Sequence, residues 1–153
     1  MGTVQQLYLA RGYTLNLLKK ADEDAWDRQP EGFSNTIRWN AGHIYNLADY
    51  LLSQALESYE VQHREWAGYF KAGTSPSDWL ELPPSEEELF AAMKDQGKFI
   101  SELTDEQLGR APDTPIEIGK FITLYTVDEV LSFLAWHEGI HAGLIDGLAR
   151  VNR

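Results

Sequence analysis

Two histidines in the run Trp136-His137-Glu138-Gly139-Ile140-His141 are the best-spaced candidates for chemistry in this 153-residue chain. On a helix, residues four apart lie one above the other, so both imidazoles can meet one metal ion. The apolar stripe Val127, Val130, Leu131, Leu134, Ile145 and Leu148 predicts the buried face of the helix that carries them. His137 and His141 continue that stripe at positions where leucines are expected. A buried imidazole needs hydrogen bonds or a metal, because an unpartnered polar group in a core is costly. Two core histidines bonded to neighbouring helices would satisfy the pattern, but the paired spacing favours a metal.

Two imidazoles make a weak site, and catalytic zinc normally has three protein ligands and an open position. The other histidines are His43 and His63. His63 lies in a long connection beside Gln62 and Arg64 and reads as a surface residue. His43 falls early in a helical pattern, on a flank shared with Trp39, Leu47 and Tyr50, and points towards a neighbour. A half-buried His43 bonded to a tyrosine or aspartate is the bland alternative. Arg38, Asn40, Asn46 and Asp49 on the same helix read as solvated residues, and Tyr45 and Tyr50 are ambiguous.

The same run is a complete HExxH, which in zinc proteases supplies two ligands and a glutamate base. Only twelve residues follow His141, and among them Asp146 is the sole acid. No convincing strand is available to bind a peptide, so the protease reading fails.

Four long helical patterns must position these residues. The first spans about Thr3 to Ala25, with Val4, Leu7, Tyr8, Leu15, Leu18 and Ala21 near one face and Arg11 close to it. The second follows Ser34-Asn35-Thr36 and continues to about Ser58, burying Ile37, Ala41, Ile44, Ala48, Leu51 and Ala55. The third opens with the capping box Ser85 to Glu88 and turns Leu89, Ala92, Met93, Gln96, Phe99, Ile100 and Leu103 inward. The fourth opens with a second capping box, Thr126 to Glu129, and runs almost to the C-terminus. Thr104 to Gln107 reads as a short helical turn, and Gly119 to Tyr125 as the one piece that is briefly extended.

This is the pattern of a single all-α domain over residues 1–153, a four-helix bundle. About ten residues, Trp26 to Asn35, join the first two helices, whereas Tyr59 to Pro84 is too long for a tight hairpin. The longer stretch suits a crossover between helices two and three, so the topology is not simple up-down-up-down. Its aromatics, including Trp66, Tyr69, Phe70 and Trp79, are expected to cover one end of the bundle or a subunit contact, in preference to forming a substrate lid.

The absence of cysteine excludes disulfides, thiolate zinc sites and thiol nucleophiles. A formal charge of −11 argues against nucleic acid and anionic membrane as partners. With no signal-peptide pattern and no apolar run of membrane-spanning length, the expected location is cytoplasmic.

The order of motifs is Thr36-Ile37-Arg38-Trp39-Asn40-Ala41-Gly42-His43, a long connection, a capped third helix, then Trp136 to His141. It resembles the DinB/YfiT-like family of metal-binding four-helix bundles over about Val4 to Val151. By that resemblance His43, His137 and His141 are the ligands of one divalent metal, commonly zinc or nickel, in a protein that is often a homodimer. Some members of the family transfer low-molecular-weight thiols such as bacillithiol or mycothiol to electrophiles. Another group isomerises maleylpyruvate with a thiol cofactor, and many are described only as metal-dependent hydrolases. The resemblance implies a metal-dependent thiol S-transferase acting on small electrophiles. A hydrolase using metal-activated water and a non-catalytic metal-binding or stress-response bundle are the alternatives. Glu138 is the candidate catalytic residue, as a general base or as an acceptor for a ligand imidazole, with an exposed glutamate equally compatible. Arg11 could bind a substrate carboxylate, although a buried ion pair or a surface position suits it better.

Overall fold

Three of the four long helices start at a residue whose side chain caps the first turn. In the computed structural model, which describes residues 1–153, α1 spans Thr3–Lys20, α2 Ile37–Ala55, α4 Glu86–Ser101 and α6 Val127–Val151. Thr36, Ser85 and Thr126 accept hydrogen bonds from Trp39, Glu88 and Glu129 N–H groups, satisfying donors that the first helical turn leaves free. The expected reciprocal box holds at Ser85, but Glu129 reaches back one residue further, to the Tyr125 N–H. Two short helices, α3 (Ala67–Phe70) and α5 (Asp105–Leu108), lie in the connections.

Side-chain contacts fix the helix directions. Thr3 bonds Asp128, and Arg11 bonds Glu138, so α1 and α6 run the same way. His43 meets His137 and Asn40 meets His141, so α2 runs against α6. Leu18 shares a core cluster with Leu89, and Leu7 shares another with Ile100, so α4 runs against α1. Helices α2 and α4 are therefore parallel, and the chain between them must return along the molecule. Both α1 and α2 pack on α4 and on α6, which places α1 and α2 across the core from each other.

Some boundaries and faces differ from the sequence reading. The first helix stops at Lys20, where Ala21 turns extended, and a separate 3-10 turn covers Glu23–Ala25. The second ends at Ala55 because Leu56 is extended. On α1 the buried line is Leu7, Arg11, Thr14 and Leu18, a stripe so narrow that Tyr8 is 55% exposed. Helix α2 is buried on nearly every side through Asp49. Trp66 and Phe70 from the long connection enter the core, with Tyr69 and Trp79 packed against it.

The all-α expectation needs one amendment. Strands β1 (Ile116–Ile118) and β2 (Ile122–Leu124) form an antiparallel hairpin, with Ile116 opposite Leu124 and Ile118 opposite Ile122. Its connection uses Gly119 at φ 55°, a left-handed conformation that glycine adopts freely. No helix is long and apolar enough to cross a membrane.

Candidate metal centre

The buried flank of α2 and the facing stripe of α6 bring His43, His137 and His141 together. One nitrogen from each ring lies within 4.8 Å of the others. His43 and His137 are buried, while His141 is half-buried, giving the cluster a side open to solvent.

Backbone and amide groups decide which nitrogen each ring offers. His43 Nδ1 lies 2.7 Å from the Phe70 carbonyl, which can only accept, so Nδ1 carries the proton and Nε2 the lone pair. The Phe70 carbonyl can reach this position because Gly42 has no side chain. A Cβ there would overlap the Phe70 ring. His141 Nδ1 lies 2.7 Å from Asn40 Oδ1. The Asn40 amide nitrogen donates to Asn35 Oδ1 at 2.7 Å and to the Thr36 carbonyl at 2.8 Å. With both amide hydrogens used, Asn40 presents its oxygen, and His141 must donate from Nδ1. His137 Nε2 lies 3.1 Å from His43 Nε2.

The surroundings favour neutral rings. Burial, followed by the neighbouring His141 and His43, pushes His137 down to about 3. Burial and then His43 push His141 down to about 4, and burial lowers His43. Trp39 stacks on His43 with centroids 4.6 Å apart and planes 11° from parallel, and donates its indole N–H to Thr74 at 3.0 Å. Phe133 lies 6.1 Å from His137 in a stacked orientation. Three neutral nitrogens converge on one point, and two of the rings are fixed by hydrogen bonds on their far side. This donor set fits a divalent transition metal such as zinc, which takes a fourth ligand beyond three protein nitrogens.

The structure does not bring Glu138 to this cluster. Its carboxylate is 2% exposed and accepts from Arg11 Nε at 2.8 Å and from the Arg11 terminal nitrogen at 3.1 Å. Neither Arg11 nor Glu138 is a surface residue, and Arg11 is not poised for a substrate carboxylate. His63 stays outside the site, stacked on Trp66 with centroids 3.8 Å apart.

Sequence reasoning missed the groups that orient the rings. Asn40, read as solvated, is fully buried. Its position three residues before His43 on the same helical flank was the available signal. The Phe70 carbonyl had none, since every residue carries one. Arg38, Asn46 and Asp49 are buried as well. Arg38 pairs with Asp27 at 2.7 Å and donates to the Pro84 carbonyl at 3.0 Å. Asp49 accepts from the Tyr59 hydroxyl at 2.8 Å.

A family model for the DinB superfamily matches residues 6–145. No curated protein matches the chain.

Proposed function

The chain belongs to the DinB superfamily, and on that footing we propose that it is a four-helix bundle built to hold one divalent metal, zinc or nickel, through His43, His137 and His141. The observation that carries the reading is the outward commitment of Nδ1 on His43 and His141, which leaves their Nε2 lone pairs for a shared ligand. When bound, such a metal supplies Lewis acidity that favours ionisation of a thiol or water, and three neutral rings do not offset its charge.

The protein's own part is to orient and to shield. Phe70 and Asn40 hold two rings in one tautomer, Trp39 covers His43, and the half-buried His141 leaves the approach. A cavity of about 660 Å³ bounded by Asn46, Asp49, Tyr50, Tyr59, Arg64 and Ala67 lies further along α2, and none of the three histidines lines it. The small-molecule substrate of this proposal rests on kinship alone. The reaction we assign is transfer of a low-molecular-weight thiol to a small electrophile, supported by kinship alone. A homodimer belongs to the same proposal, supported by Ile122, Tyr125 and Trp136, which are more than half exposed beside α6.

The test is to load the protein with zinc or nickel and assay a chromogenic electrophile with a thiol, alongside an activated ester without one. Metal-dependent conjugation supports the transferase. Metal-dependent ester cleavage alone would replace it with the hydrolase, and inactivity in both assays with metal bound would leave a non-catalytic bundle.

A further inference from the structure

The polar cluster next to the histidines is buried as deeply as they are, and its geometry concerns α6 itself. Glu138 follows His137 by one residue, about 100° around the helix, so it faces α1 and α4 while the histidines face α2. Arg11 grips both Glu138 oxygens, at 2.8 and 3.1 Å. The same guanidinium donates to the Met93 carbonyl at 2.7 Å and to Gln96 Oε1 at 3.0 Å, both on α4. Gln96 in turn donates to the Tyr45 carbonyl of α2 at 3.3 Å and to the Tyr59 hydroxyl at 3.0 Å, and Tyr59 donates to Asp49 of α2. Gly97 makes room for the arginine stem, because a Cβ there would stand 3.2 Å from Arg11 Cγ.

We propose that the Arg11–Glu138 pair is a positioning device for the histidine site, setting the rotation of α6 about its axis and so the direction in which His137 and His141 face His43. The inference rests on the metal-binding reading above. Side chains reach about 5–6 Å from a helix axis, so a rotation of about 10° moves a ring nitrogen by about 1 Å. A metal site tolerates only about 0.2 Å in its bond lengths. Apolar ridges permit small rotations, whereas a two-pronged guanidinium–carboxylate contact is directional. Stability alone does not account for the pair, since apolar residues of similar volume commonly replace buried ion pairs without loss. The network through Gln96 and Tyr59 refers the setting of α6 to α2, the helix that carries His43.

The test uses cobalt(II) as the probe in the full-length protein, read by its visible absorption bands and by competition titration with a chelator. The variants are the double Arg11→Met/Glu138→Leu, which replaces the pair with apolar groups, and Glu138→Gln, which keeps the shape and one acceptor. Both are also compared with the parent by thermal unfolding without metal. The expected result is a folded double variant whose cobalt affinity is about tenfold or more weaker, with shifted absorption bands. Parent-like affinity and bands in that folded variant would overturn the proposal and make the pair merely structural. Should the double variant fail to fold, Glu138→Gln is judged on the same two readouts. A parent protein that binds no cobalt would overturn the metal reading itself, an outcome distinct from equal binding by parent and variants.

Discussion

Two buried polar clusters sit on adjoining faces of α6, one residue apart in sequence. Around Glu138, each polar group has a partner of opposite character: carboxylate with guanidinium, guanidinium with carbonyl and amide oxygen. Around His137, two Nε2 atoms stand 3.1 Å apart, and the protons of His43 and His141 are directed outward to Phe70 and Asn40. The first cluster is complete within the protein. In the second, His137 and His43 can share one proton between their Nε2 atoms, and the three ring nitrogens lie within 4.8 Å of one another, close enough to hold a metal ion instead. Depth of burial does not distinguish the two clusters; the first is a closed ion pair, whereas the second is a set of neutral rings that could share a cation.

Damage to the two clusters should differ in kind. The largest stability effect is expected from Glu138→Ala, which strands the Arg11 charge in the core and costs about 3–5 kcal/mol in chemical denaturation. An equal loss for His43→Ala in metal-free protein would erase the distinction, because removing one neutral ring strands no charge in the core and should cost less. Next comes Asn40→Leu, which frees the His141 tautomer. Metal affinity is expected to fall about 10–100-fold in a competition titration, and unchanged affinity would remove Asn40 from the site.

The metal-free protein adds a test by pH dependence. Folding holds His137 and His141 at about 3 and 4, below their ordinary 6.5, and also lowers His43. The unfolded chain therefore binds more protons between these limits, so stability falls as pH drops below about 6.5 and continues to fall towards 3–4. The triple His→Ala variant should lose part of that slope in a thermal melt followed across pH. An unaltered slope would mean that the rings are not held neutral.

How much of this could be read beforehand depended on whether a signal repeats. The four long helices were visible because their apolar residues recur over several turns, and the His137–His141 spacing exploits the same period. Of the hairpin, the extended piece around Ile122–Leu124 was visible, but Ile116–Ile118 was not, since a strand of three residues is too short to establish alternation. Arg11 stood out as a charge near an apolar stripe, but its partner could not be named, because Glu138 lies 127 residues away. The HExxH pattern drew Glu138 towards catalysis, whereas tertiary packing gave it to Arg11. Helix α2 misled for a related reason: Pro84 and Tyr59 of the long connection meet Arg38 and Asp49, and Asn40 meets His141 of α6, so polar residues that read as solvated are buried.

The most direct measurement of the central claim is the metal content of the purified protein, before and after incubation with zinc or nickel, by plasma mass spectrometry. His43→Ala and His141→Ala are carried alongside. The account predicts about one equivalent in the parent and little in either variant, with both variants still folded by circular dichroism. A parent that remains metal-free after incubation, or variants that retain a full equivalent, would contradict it.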